Sequence, residues 1–283
     1  MMQFETERTP KIALVTGCGG GIGRATVESL LQCDWHVLGV TRNRSNFEVS
    51  CKPLVGNLLL YELDARLAFS ESFHSILAGL VMDWMVLPRI NLLINNAAVC
   101  PQDWDAVALR DAFAVNVLFP LRIYEAFRFL DSRHIPEPCS VINVSSGDGE
   151  LCFFTTPWRS AIERLESFDE LIDFMNRTMD LVRSSGLRAA DVVHGHEPAY
   201  RLSKALLNRL TLLQAQAAPA HVRVDAICPG DVRTKMNTAP RARLPAEAAQ
   251  DILQLAELQR QAVCTNHFGE SGHFWRFGRP ISF

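Results

Sequence analysis

The chain has no long block of one charge, no CxxC pair and no apolar run long enough to span a bilayer. Its 28 basic and 31 acidic residues leave a formal charge of −3. A nucleic-acid surface ordinarily carries a basic patch or stripe, so no nucleic-acid partner is expected. The eight cysteines are scattered at positions 18, 33, 51, 100, 139, 152, 228 and 264. Without CxxC spacing or a secretory segment they read as buried, reduced thiols rather than a disulfide framework. Residues 1–10 are polar and lack the apolar core of a signal peptide, while 77–87 and 206–213 are too short or too interrupted to cross a membrane. A cytoplasmic protein without stable membrane insertion is therefore expected. His194 and His196 form an HxH pair beside Glu197, but no longer-range ligand pattern accompanies them, so no metal is expected.

Apolar residues make up 48% of the 283, enough for a large core, and the length fits one α/β domain over 1–283. Short apolar strands read at 11–16, 35–41, 58–63, 90–94, 140–144 and 222–228, with an edge strand at 273–277. Helices read at 22–31, 70–85, 161–181, 200–217 and 245–263, with a loop over 42–50. The stretch 104–129 reads as two helical pieces parted near Pro120, since proline removes a helix hydrogen bond. Strands alternating with longer helices imply a doubly wound, Rossmann-type parallel sheet covered on both faces. The rhythm lapses over about 147–199, a helical insertion in which Ile162, Leu165, Phe168, Leu171, Ile172 and Met175 recur at helical spacing.

Between the first strand and first helix lies Thr16-Gly17-Cys18-Gly19-Gly20-Gly21-Ile22-Gly23. Glycines permit a tight turn and close approach of backbone to a pyrophosphate, and the free amides at a helix N-terminus favour an anion. The spacing Gly17-x-x-x-Gly21-x-Gly23 differs from the commonest GxGxxG fingerprint. The second strand ends Val40-Thr41-Arg42, without the acidic residue that engages an NAD ribose. Arg42, with Arg44 as an alternative, can pair with an additional phosphate, which favours NADP. Asp64, after the third strand, is a candidate acceptor for the adenine amino group. Asn95, Asn96 and Ala97 follow the fourth strand at the sheet edge where such folds bind ligands.

Tyr200-x-x-x-Lys204 sets two side chains on one helix face, and with three tyrosines and four lysines in the chain a chance pairing at that spacing is only about 4%. A nearby cation favours the phenolate of a tyrosine, so Lys204 is expected to lower the Tyr200 pKa. Tyr200 would give its proton to a carbonyl oxygen as hydride reaches the carbon, or take it back in the reverse direction. Ser146, with Ser145 as its competitor, is placed to donate to the same oxygen. Asn116 is a candidate to link Lys204 to solvent through a water or carbonyl; a core-facing asparagine is the other reading. Pro229-Gly230-Asp231-Val232-Arg233-Thr234 follows the sixth strand, where groups near Val232 and Thr234 can bind a nicotinamide amide or nearby phosphate.

From residue 11 to about 277 the combination Thr16-Gly17-x-x-x-Gly21-Ile22-Gly23, Asn95-Asn96-Ala97-Ala98, Asn116, Ser146, Tyr200-x-x-x-Lys204 and Pro229-Gly230 resembles the short-chain dehydrogenase/reductase family. The resemblance implies a catalytic set of Asn116, Ser146, Tyr200 and Lys204, and it selects Ser146 over Ser145. Within the family the chain is similar to monomeric carbonyl reductases and plant alkaloid or terpenoid ketone reductases, which carry a long insertion between serine and tyrosine; here the two are 54 residues apart. This likeness implies NADPH use, reduction of a small-molecule carbonyl and an insertion covering a surface that many relatives use for oligomerisation, so a monomer is favoured. Two departures stand out. Gly20 occupies a position often basic in NADP-using relatives, and Ala98 replaces a glycine. The reading from a different class is a catalytically silent, NADP-binding redox sensor or scaffold. An apolar substrate cavity is expected from 152–158, the insertion helix and the region after Met236, although these segments could equally form a lid core.

Overall fold

The computed structural model describes residues 10–47, 57–87, 89–135, 137–264 and 271–283. The N-terminal polar segment as far as residue 9, the second half of the loop read over 42–50 and Cys51 lie outside these. Eight strands form one sheet in the order β3-β2-β1-β4-β5-β6-β7-β8: β1 (Ile12–Thr16), β2 (His36–Thr41), β3 (Leu58–Glu62), β4 (Ile90–Asn95), β5 (Cys139–Val144), β6 (Val222–Cys228), β7 (Phe274–Arg276) and β8 (Arg279–Ile281). All neighbours run parallel except β7 and β8.

The strands are nearly continuous apolar runs because both sheet faces are buried. Alternate residues feed two cores: Ile12, Leu14, Leu93 and Val141 face one side, Ala13, Val15, Leu92 and Ile142 the other. The second core lies under α1 (Gly21–Gln32) and α8 (Pro245–Cys264). The first lies under α2 (Glu71–Trp84), α3 (Ala106–Phe113), α4 (Phe119–Asp131) and α7 (Pro198–Ala217). Strand order reverses between β1 and β4, so the loops after these strands part and leave a crevice at the carboxyl edge.

Two expectations change and a third is made specific. The helix read over 161–181 is two helices, α5 (Thr156–Glu163) and α6 (Phe168–Ser185). The break is set by Ser167, whose hydroxyl accepts from the Glu170 N–H at 3.1 Å and starts α6, a capping signal that helical periodicity conceals. The last edge strand is β8, reached by the turn at Phe277 (φ 50°) and Gly278 (φ 73°), the positive-φ pair that suits a two-residue hairpin. The two helical pieces of 104–129 do part near Pro120: α3 widens into a π-type turn over Ala114–Leu118, and Pro120 sits at the start of α4, where a missing N–H costs little.

The seven described cysteines are free thiols; Cys18, Cys139 and Cys228 are buried, whereas Cys33, Cys152 and Cys264 are exposed. No described helix is long and apolar enough to cross a membrane.

Candidate active site

A crevice of about 550 Å³ opens at the carboxyl edge of the sheet, with the glycine loop at its floor and Tyr200 and Lys204 at its inner end. The loop is tied to β2 by Gly17 N–H donating to Val40 O at 2.8 Å. Gly17 has φ 67°, and a Cβ there would stand 2.6 Å from Ala97 Cα. Only glycine lets the first and fourth strand-end loops come so close. Thr16 bridges the same loops, its hydroxyl accepting from the N–H groups of Asn96 (3.0 Å) and Ala97 (3.2 Å). Asn96 returns the contact by donating to Thr16 O at 3.0 Å. Thr234 packs its methyl group over Gly21 from the opposite wall.

Helix α1 begins at Gly21 with no side chain capping its first amides, and the missing side chain of Gly20 faces open space. Unpaired N–H groups at a helix start, with room beside them, fit the pyrophosphate of a dinucleotide. Gly17, Gly21, Ile22, Arg42, Asp64, Asn96, Ala97, Pro229, Thr234, Tyr200 and Lys204 all line the crevice.

The remaining sequence candidates stand elsewhere. Gly23 packs beneath the loop, where a Cβ would meet the Asn96 amide at 2.4 Å. Asn95 turns inward, the period-two neighbour of Asn96, and donates to Asn143 Oδ1 at 2.9 Å in a buried network that continues to Thr211 and Gln214. Val232 is buried and its strand segment bridges to Arg243, while Gly230 (φ 73°) lies against the Phe277 ring. Asp64 lines the crevice, but its carboxylate is held by Arg66 at 2.7 Å.

At the chemical end, Ser145 and Ser146 separate cleanly. Ser145 is buried and donates to Asn208 Oδ1 at 2.6 Å, leaving Ser146 as the serine hydroxyl that acts on the Tyr200 phenol. Ser146 Oγ also donates to Asp148 Oδ2 at 3.0 Å, and Asp148 pairs with Arg201 at 2.9 Å. Gly149 brings this serine turn onto α7: a Cβ at Gly149 would lie 2.6 Å from the Lys204 backbone carbon. That contact fixes the depth of Lys204 beside the end of β5.

Lys204 is 2% exposed and donates from Nζ to Val144 O at 2.9 Å, with Nζ 5.6 Å from the centre of the Tyr200 ring. Removal from water lowers its pKa from 10.5 to about 8, against small opposing contributions from Cys100 and Cys228. Tyr200 does not show the expected lowering. Burial pushes its phenol above the ordinary value; the bond from Ser146 opposes this, and the charge of Asp148 adds to it. Tyr200 is thus a neutral O–H donor at physiological pH.

Asn116 is fully buried at the centre of the π-type turn, where its carboxamide accepts from Val99 N–H (2.9 Å) and donates to Val99 O (2.9 Å) and Ser203 Oγ (2.8 Å). Its side chain therefore anchors the loop after β4 to α7 and does not touch Lys204. That loop supplies wall residues the sequence left unmarked, Val99 and Cys100, joined by Val115, Phe119 and Met236. Burial and a hydrogen bond to Glu197 raise the Cys100 thiol to about 12. The segment 152–158 contributes no wall residue; Trp158 instead packs edge-on against Phe174 at 5.5 Å, inside the insertion.

Comparison with known proteins places residues 11–161 on the short chain dehydrogenase family model. The chain is 26% identical to (+)-neomenthol dehydrogenase of Arabidopsis thaliana, over 93% of this chain and 96% of that one. It is 30% identical to (−)-isopiperitenone reductase of Mentha piperita, over 88% and 92% of the two chains. Among solved structures, salutaridine reductase of Papaver somniferum superposes with a TM-score of 0.76 at 19% identity, covering 94% of this chain and 99% of that one.

Proposed function

The chain belongs to the short-chain dehydrogenase family of oxidoreductases, and on that premise we propose that it reduces a small-molecule ketone, aldehyde or quinone with NADPH. The observation that carries this reading is the Tyr200–Lys204 pair at the inner end of a crevice, with Ser146 acting on Tyr200 from beside it, while Arg42 lines the same crevice and β2 carries no acidic residue.

When bound, the nicotinamide supplies the hydride. The glycine loop and the start of α1 hold its pyrophosphate, and Arg42 meets the 2′-phosphate. Ser146 orients the substrate oxygen by donating a hydrogen bond. Tyr200, kept protonated by burial, transfers its phenolic proton to that oxygen as negative charge develops there. Lys204, while charged, stabilises the phenolate left behind. A buried tyrosine held in its acid form supports the reductive direction, because the oxidative direction needs the phenolate first. Val99, Val115, Phe119 and Met236 give the crevice an apolar wall that supports a hydrophobic carbonyl compound. The reading takes the protein as a cytoplasmic monomer, and the packing of the insertion helix α6 against α3 and α7 supports the monomeric part of it.

The test is NADPH oxidation against a panel of ketones, aldehydes and quinones. Carbonyl-dependent turnover that falls about 10²- to 10⁴-fold in Tyr200→Phe, with NADPH binding unchanged, is the expected result. Tight NADPH binding without turnover on any carbonyl would favour the silent sensor instead.

A further inference from the structure

Arg66 belongs to none of the motifs above, yet it forms part of the crevice wall. It follows β3 in the short turn Ala65–Phe69, two residues after Asp64. Its Nε lies 3.2 Å from each Asp64 oxygen and its Nη2 2.7 Å from Oδ2, while its backbone N–H donates to Oδ1 at 3.0 Å. Both Asp64 oxygens already accept from this fork. Adenine would have to share Asp64 with Arg66, and Asp64 gains a second part: it orients Arg66.

The cations available at this end support that assignment. Arg42 and Arg66 line the crevice together with Thr41 and Asn43 from the ends of the neighbouring strands β2 and β3, and the glycine loop on the other side of β2 has no basic residue, only Gly19, Gly20 and Gly21 on the wall. Arg44, the other candidate from sequence, is not on the wall; its backbone N–H contacts the Glu62 carboxylate at 3.4 Å. Arg42 acts on the same carboxylate, since its charge joins that of Arg66 in lowering the Asp64 pKa. The Arg66–Asp64 pair is exposed, with 44% of the arginine side chain accessible. Exposed ion pairs hold weakly, so a dianionic phosphate can take part of the guanidinium without disturbing the fold.

We propose that Arg66 is a second specificity-determining cation for the adenosine 2′-phosphate, acting with Arg42 from the adjacent strand-end loop while Asp64 sets the orientation of its guanidinium. The proposal rests on the NADPH reading. It also accounts for how a loop with Gly20 in place of a basic residue can still present two positive charges.

The experiment titrates the full chain calorimetrically with adenosine 2′,5′-bisphosphate and with 5′-AMP. The unaltered chain should prefer the bisphosphate. Arg66→Ala should weaken the bisphosphate about tenfold or more, as expected for a lost charge-assisted hydrogen bond, and leave 5′-AMP within about twofold. Retained 5′-AMP binding also reports that the variant is folded. Asp64→Asn added to Arg66→Ala should leave the bisphosphate weak. An equal loss on both probes, no loss on either, or full recovery in the double variant would overturn the proposal, the last by reducing Arg66 to a neutraliser of Asp64. No preference in the unaltered chain would instead sink the NADPH reading, and this inference with it.

Discussion

Replacing Lys204 by Met should make the coenzyme-free protein more stable while abolishing its activity. Lys204 is almost fully buried, makes one hydrogen bond to Val144 O, and has its pKa lowered from 10.5 to about 8 by desolvation. Below pH 8 the lysine is charged in both folded and unfolded chains, so the folded state carries the full cost of the buried charge. Between pH 8 and 10.5 the folded lysine is neutral while the unfolded one still binds its proton, and the lysine's contribution to stability rises with pH. At about 1.4 kcal/mol per pKa unit, this shift corresponds to about 3 kcal/mol at pH 7 and about 1 kcal/mol at pH 9.5. Losing the bond to Val144 O offsets about 1 kcal/mol at either pH. Met is close in length, so little cavity arises. Urea unfolding of both proteins at pH 7 and 9.5 measures the difference. Lys204→Met should be about 2 kcal/mol more stable at pH 7, and that advantage should vanish by pH 9.5. A variant less stable than the parent at pH 7, or a gain independent of pH, would refute the reasoning. The expected gain would mark the site as a place where stability is given up for a charge that only the reaction uses.

The same lysine sets the alkaline limb of catalysis: kcat/KM for carbonyl reduction should fall as pH rises through about 8, because the charge that stabilises the phenolate is lost there while Tyr200, raised by burial, stays protonated. A pH–rate profile flat to pH 10 would contradict it. Gly149→Ala should cost about 1–3 kcal/mol by thermal melting, because its Cβ would press the serine turn off the Lys204 backbone at 2.6 Å, and reductase activity should drop beyond what lost stability explains. Activity unchanged at a temperature where the variant is fully folded would show that this contact does not set the depth of Lys204.

The strands and most helix positions were legible because both sheet faces are buried, which leaves short apolar runs separated by longer amphipathic ones. What escaped was local signal outweighed by periodicity, or contact between distant segments. The division between α5 and α6 was written in Ser167 and Glu170, but an unbroken apolar stripe masked it. β8 escaped because it is three residues long and contains Pro280, and its turn uses Phe277 at a positive φ that nothing in the sequence announces. Asn95 and Asn96 were read together, although adjacent residues at a strand end face opposite ways; Asn143, paired with Asn95 across β4 and β5, marks the inward side.

The chemistry at Tyr200 shows where spacing stops being informative. Four residues on a helix bring Lys204 beside Tyr200, and that nearness alone predicts a lowered tyrosine pKa. The sign depends on a second quantity, how far each group is taken from water, and this is set by nonlocal contacts: Gly149 against the Lys204 backbone, Val144 O on its ammonium, and Asn116 pinning the loop after β4 to α7. Burial disfavours both the phenolate and the ammonium, moving the two pKa values toward their neutral forms rather than toward an ion pair. A tyrosine in that state gives up a proton only when the substrate oxygen becomes more basic than its own phenolate, which happens as hydride arrives and not before. In the proposed reaction, the same enclosure that hides the tyrosine's charge state from sequence couples its proton transfer to reduction.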